Sequence, residues 1–395
     1  MTPPNYAFPL VAVAPADAHH SRRGEATLVA LRDGNVLMAY GRFTGRDDPG
    51  YDRLAADRAM RYQGSYIERD NDYGEVATIL LDRHGSPIGS ERVIVPCPSD
   101  GLNAMNPALA RLPDGRIGLL YSHRISRRVS SRRFLASADE GATWSDPVTV
   151  CDEGYVSGGH DRFNVLATGR LLAPLHGTDD WEKHYLHVRV ARSDDAGLTW
   201  QTGAAVRVPQ VSWPDQPGME SGCNEPGVAE RADGSLLMTM RTAMGTQFGC
   251  ESFDRGETWT SPRSLEVPSP SAPAHLSRLP GTDDLLLVWT PNYDATQPMN
   301  GHRHTLLAGV SSDGGRSWPH ARRKILVHDP ARNTDYPAVF FHGDEAWIAV
   351  RQSDQPRVIQ GRMSTGLMRV PLEWLLEKRA TDGNGSIAIA PAPAS

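Results

Sequence analysis

Four eight-residue segments of this 395-residue chain read almost alike: Ser137-Ala-Asp139-Glu-Gly141-Ala-Thr143-Trp144, Ser193-Asp-Asp195-Ala-Gly197-Leu-Thr199-Trp200, Ser252-Phe-Asp254-Arg-Gly256-Glu-Thr258-Trp259 and Ser311-Ser-Asp313-Gly-Gly315-Arg-Ser317-Trp318. Their aspartates lie 56, 59 and 59 residues apart, so an internal repeat sets the fold. Each copy reads as a hairpin turn. Asp accepts hydrogen bonds from turn amides, Gly supplies the left-handed backbone, the hydroxyl closes the loop, and Trp packs the turn onto neighbouring strands. An ordinary set of Asp-Gly turns would not repeat the Trp.

A period of about 57 residues is too long for one hairpin and suits a four-stranded propeller blade with its connections. Counting back from Asp139 lands on Leu81-Asp82-Arg-His-Gly85, a fifth copy without the Trp. Alternating apolar runs that fold back at Gly-containing turns lie at 26–40, 108–121, 165–175, 227–241, 274–289 and 338–350. These pairs predict an all-β fold, a six-bladed β-propeller with four-stranded antiparallel blades. Helical signal is confined to 371–378, where Pro371 precedes Leu372, Leu375 and Leu376. A single domain is expected over 1–379, followed by a Gly-, Ala- and Pro-rich flexible tail at 380–395.

Residues 1–18 contain no basic stretch followed by an uninterrupted apolar run, because prolines and Asp17 break the segment. A cytoplasmic protein without membrane association is expected, since no run approaches the ~20 apolar residues that span a bilayer. Cys97, Cys151, Cys223 and Cys250 have neither metal-binding spacing nor the density of a disulfide scaffold, and read as reduced thiols. The net charge of −6 argues against nucleic-acid partners. The basic stretch 124–133 reads as a solvated hairpin.

The repeated turns resemble the Asp boxes of the sialidase (neuraminidase) superfamily, and the chain resembles a bacterial BNR-repeat member over nearly its whole length. Asp boxes are structural turns and do not carry activity. A catalytic set is nevertheless matched in order. Glu225, in Asn224-Glu225-Pro226, precedes a strand, an Asp233-Gly234 turn and a returning strand that ends in Arg241. The resemblance gives Glu225 the role of activating a tyrosine and Arg241 that of gripping a substrate carboxylate. In Gly41-Arg42-Phe43-Thr44-Gly45-Arg46-Asp47-Asp48-Pro49-Gly50 it implies an acid/base aspartate, Asp47 or else Asp48, with Arg42 beside the substrate. The first carboxylate-binding arginine falls at Arg22 or Arg23, with Arg23 favoured by spacing; the Arg-Ile-Pro motif usual there is missing and Glu25 stands close by. Arg303 matches the third arginine and Tyr336 the nucleophile. His160, Asp161 and Arg162 start a strand-like run and are expected to line the cleft, with Asp161 and Arg162 touching substrate; Asn106 and Asn224 are similarly placed.

The chemistry explains these residue types. A nonulosonic acid carries a carboxylate on its anomeric carbon, which three guanidiniums hold by planar, charge-assisted hydrogen bonds. A carboxylate nucleophile would be repelled by that anion, whereas a neutral phenol that passes its proton to Glu225 is not. The resemblance therefore implies a retaining exo-glycosidase that takes a terminal sialic acid or related acidic sugar from a glycan and needs no cofactor or metal. The lost Arg-Ile-Pro motif leaves open a sialidase-like hydrolase of a different glycoside. A third reading is a non-catalytic carbohydrate-binding propeller.

Overall fold

The computed structural model describes residues 3–44, 70, 72–99, 101–126, 128–179, 185–211, 221–356 and 361–377. The chain is all-β, and its one α-helix among the described residues is the five-residue Leu372–Leu376. That helix lies inside the segment expected to be helical and buries Leu375, while Trp374 meets Phe8 edge-on at 5.0 Å.

Each alternating pair read from the sequence supplies the first two strands of an antiparallel meander. In the first sheet Arg22–Ala30 pairs with Val36–Phe43, followed by Gly74–Leu81 and Pro87–Val95. The second runs Asn103–Arg111, Ile117–Arg124, Ser130–Ser137, Val148–Cys151. The third begins with two short pieces, Tyr155–Ser157 and Asn164–Val165, and continues through Leu171–Thr178, Tyr185–Ser193 and Gln201–Thr202. Ser221–Glu230, Leu236–Thr242, Thr246–Ser252 and Arg263–Pro268 form the fourth. His275–Arg278, Leu285–Trp289, Thr305–Ser311 and Arg323–His328 form the fifth. In the sixth, Thr334–His342, Glu345–Ser353 and Met363–Pro371 are completed by Leu10–Ala14 from near the start of the chain. This arrangement is consistent with a β-propeller.

Apolar clusters lie between consecutive sheets, which is where a twisted meander must bury its faces. One joins Leu120 and Phe134 of the second sheet to Leu171 and Ala173 of the third; another joins Leu286 and Val310 of the fifth to Ile348 and Val370 of the sixth.

The repeated turns sit between the third and fourth strands of their sheets. Asp139 Oδ1 accepts from Ser137 Oγ and Thr143 N, both at 2.8 Å, and Oδ2 accepts from Thr143 Oγ1 at 2.6 Å. The same pattern recurs at Asp195, Asp254 and Asp313. The glycines have φ of 84°, 92°, 85° and 82° in turn order, a conformation that costs residues with a Cβ. They also face the preceding sheet. A Cβ on Gly141 would lie 2.8 Å from Leu37, and one on Gly197 2.3 Å from the Phe134 ring. The turns therefore act as contacts between sheets as well as hairpin closures. Asp82 occupies the corresponding place in the first sheet, accepting from His84 N and Ser86 N at 2.8 and 2.9 Å.

The first strands of four sheets carry a register shift near their site-facing ends, at Gly24/Thr27, Met105/Ala108, Asn224/Gly227 and Asp335/Ala338. At each shift one non-glycine residue has a left-handed backbone: Glu25 (φ 56°), Asn106 (54°), Glu225 (44°) and Tyr336 (53°). Asp161 (54°) does the same in the break of the third sheet's first strand. Such strain persists where surrounding structure over-determines it, and it clusters at functional sites.

Candidate active site

Glu225 and Arg241 come from adjacent strands of the fourth sheet, with Asn224 and Arg241 opposite one another in register. The bulge after Asn224 turns Glu225 toward that arginine. Arg241 Nη1 donates to Glu225 Oε2 at 2.8 Å and lies 3.4 Å from Tyr336 Oη, while its Nε donates to Ser271 Oγ at 2.9 Å. One guanidinium nitrogen thus touches both residues of the expected nucleophile and base pair. Burial alone would raise the Glu225 carboxyl, but Arg241, His176 and Arg303 outweigh it and hold the group down to about 2. Burial pushes the Tyr336 phenol well above its ordinary range, and the neighbouring Glu225 charge adds to this.

Arg303 is fully buried before the strand Thr305–Ser311. It donates to Asp335 Oδ2 at 2.9 Å and to the Ser271 carbonyl at 2.5 Å, and its guanidinium carbon lies 5.7 Å from the Tyr336 ring centroid. His160 Nε2 is 3.1 Å from the Tyr336 carbonyl oxygen. Burial and Arg162 hold that imidazole down to about 3. A neutral ring facing a carbonyl must donate, so the Nε2–H tautomer is the one present.

Strand alternation puts Arg22 and Arg23 on opposite faces of the sheet. Arg22 points to the site side, donating to Glu25 Oε1 and Asp70 Oδ1, both at 2.5 Å. Arg23, which spacing favoured, faces the other side of the sheet and bonds Pro15 O, Asp17 and Glu91. Arg42, expected beside the substrate, is its cross-strand neighbour and shares that face. Its guanidinium is taken up by Glu75 at 2.8 Å and Glu91 at 2.6 Å.

Asp161 and Arg162, expected to touch substrate, tie sheets together. Asp161 accepts from Thr27 Oγ1 at 2.9 Å and Val339 N at 3.2 Å and lies 3.1 Å from His275 Nδ1, spanning the first, sixth and fifth sheets. Arg162, buried, donates to the Ala274 carbonyl at 2.6 Å. Asn106 Nδ2 lies 3.3 Å from Ser157 Oγ and Asn224 is buried beside Glu225. Asp47 and Asp48 lie outside the described residues.

Sequence reasoning missed two residues. Arg351, buried in the sixth sheet, places its guanidinium 4.1 Å from the Tyr336 ring centroid. Asp335 binds it twofold, Nε–Oδ1 at 2.8 Å and Nη2–Oδ2 at 2.9 Å, and also holds Arg303. Burial would raise the Asp335 carboxyl, but Arg351 and Arg303 hold it down to about 2. Nothing local in Ala349-Val350-Arg351 marks the arginine. A usable signal did exist for the site-facing positions: Asn106-Pro107-Ala108, Glu225-Pro226-Gly227 and Tyr336-Pro337-Ala338 repeat one triplet at three of the bulges.

The arrangement offers a phenol beside a carboxylate and several guanidiniums in one buried cluster. Among the described residues, no group of three or more His, Cys, Asp or Glu could hold a metal ion.

Comparison with known proteins places the chain in a family. Residues 68–348 match the model of the BNR repeat-like domain. Among curated proteins, none matches the sequence significantly. The fold resembles a protein of unknown function from Dyadobacter fermentans (TM-score 0.68, 16% identity, 94% of this chain and 100% of that one). It also resembles the Hadza microbial sialidase Hz136 (TM-score 0.64, 18% identity, 92% and 68%). The NanB sialidase of Streptococcus pneumoniae is similar at TM-score 0.66 and 12% identity, over 93% and 71% of the two chains. These likenesses concern the fold, and the matched repeat region covers well over half of the sequence: the chain belongs to the BNR repeat-like family.

Proposed function

We propose that this protein is a retaining exo-glycosidase in which Tyr336 is the nucleophile and Glu225 its base, built on six blades closed by Leu10–Ala14. The observation that carries the reading is the contact of Arg241 Nη1 with both Glu225 and Tyr336. In the first displacement Tyr336 Oη bonds to the anomeric carbon, its proton passes to Glu225, and the aglycone oxygen leaves with a proton from an acid. Glu225 and Asp335 are both held ionised, so neither is that acid; Asp47, with Asp48 as the alternative, takes the role. In the second displacement the acid's conjugate base takes a proton from water, whose oxygen bonds to the anomeric carbon as the bond to Tyr336 Oη breaks, and Glu225 returns its proton to the tyrosine, giving overall retention.

Arg241 couples binding to this chemistry. In the free protein it keeps Glu225 a weak base. A substrate carboxylate that draws on Arg241 and Arg303 loosens that hold and makes Glu225 a better proton acceptor as the sugar arrives. This favours an acidic glycone of the sialic acid type.

One observation favours a different glycoside. Arg22 and Arg351 already share Glu25, and Arg303 and Arg351 share Asp335, so protein carboxylates occupy part of the cluster. Release of 4-methylumbelliferone from its N-acetylneuraminic acid α-glycoside, beside a panel of other acidic and neutral glycosides, separates the two. Turnover of the sialoside supports the first reading, turnover of another panel member the second, and silence throughout contradicts both.

A further inference from the structure

Arg351 is held more tightly than a residue that only fills space. Its Nε and Nη2 are bound by Asp335, its Nη1 donates to Glu25 Oε1 at 2.8 Å, and Glu25 is in turn bound by Arg22. All four groups are buried. Space for the side chain comes from Gly24, where a Cβ would lie 2.9 Å from Arg351 Cγ and Cδ. Glu25 owes its position to the left-handed bulge of the first sheet, as Tyr336 does in the sixth. Two strained bulges and a glycine thus converge on one outcome, a guanidinium fixed 4.1 Å from the Tyr336 ring.

We propose that Arg351 is a positioning residue for Tyr336, clamped by Glu25 and Asp335 against the ring so that it fixes the phenol and balances the charge that passes through it. The inference rests on the reading of Tyr336 as nucleophile. A cation over an aromatic face interacts more strongly as the ring gains electron density. That density rises when Tyr336 gives up its proton and attacks, and again when the C–O bond of the glycosyl–tyrosine breaks. Arg351 therefore acts in both displacements while exchanging no proton and forming no bond to the sugar.

The test has an arm independent of turnover. Difluorotyrosine is placed at 336 and its ionisation followed by fluorine NMR, in the parent protein and in R351K, R351Q and E25Q/R351Q. The double variant removes a buried carboxylate together with its cation, so it guards against a fold that fails only because Glu25 has lost one of its two cations. The expected result is an upward shift of the ionisation midpoint by about one unit in R351Q and E25Q/R351Q and a smaller one in R351K. On whichever glycoside the parent turns over, kcat of the glutamine variants should fall about tenfold to thirtyfold with little change in KM. An unmoved midpoint, or unchanged kcat in folded E25Q/R351Q, overturns the proposal. Absence of turnover in the parent would instead strike the nucleophile reading, and it is seen before any variant is made.

Discussion

Glu225 and Arg241 leave neighbouring strands of one hairpin and meet at 2.8 Å, with the Tyr336 hydroxyl 3.4 Å from the same arginine nitrogen. A base this tightly paired is poor until something relaxes the pairing. Replacing Glu225 with Gln should therefore lower kcat by about 10²-fold or more, the usual contribution of a positioned general base. Arg241→Lys, which keeps the charge but loses the planar fork, should raise KM. Steady-state kinetics on an aryl glycoside check both, and an unchanged kcat in Glu225→Gln contradicts the base assignment.

The two arginines at the start of the first sheet should behave differently although they are adjacent. Arg23→Gln breaks contacts with Asp17 and Glu91 on the far face, so it should cost some stability and leave kcat/KM near the parent value. Arg22→Gln removes one of the two cations that hold Glu25 and should reduce turnover. Comparable kinetic losses in both would overturn the face assignment.

Acid should loosen the site through its carboxylates. Folded-state values of Glu225 and Asp335 lie near 2, below their ordinary values of 4.5 and 3.8. Groups depressed by folding add stability that is fully present above the unfolded value and lost as pH falls through the folded one. Urea midpoints should be level from neutral pH to about 4.5 and fall steeply between there and about 2. In Asp335→Asn the fall should be shallower, and an unaltered slope would show that this pair does not govern it.

Gly197 of a repeated turn and Gly234 of a turn outside the repeat permit a stability comparison. Gly197→Ala meets the Phe134 ring at 2.3 Å and also strains a φ of 92°, so a loss of about 2–4 kcal/mol is expected. Gly234→Ala has φ 79° but no atom within 4 Å of the new Cβ, and should lose only the backbone share, about 1–2 kcal/mol. Equal losses by denaturant titration would contradict the role of these turns as contacts between sheets.

Features that depend on a few consecutive residues were legible in the sequence. The Asp turns close through their own side chains, and the strand pairs alternate, so both could be read without knowing the rest of the fold. Glu225, Arg241, Arg303 and Tyr336 were recognisable by order and converge in space. What escaped depends on pairing register or distant partners. Arg22 and Arg23 differ only in which face the strand presents. Asp161 and Arg162 give no sign in the sequence of their partners His275, Ala274 and Val339, which arrive from other sheets. Arg351 sits in an ordinary apolar strand, and its meaning comes from Gly24 and Glu25, more than 320 residues away.

The most direct test of the account is covalent trapping. The protein is incubated with a 2,3-difluorinated sialic acid and with matched fluorinated glycosides of other sugars, digested and mapped by mass spectrometry. The account predicts a glycosyl adduct on the peptide that contains Tyr336, absent in Tyr336→Phe; an adduct on a carboxylate instead, or hydrolysis of the parent aryl glycoside by Tyr336→Phe at the wild-type rate, would contradict it.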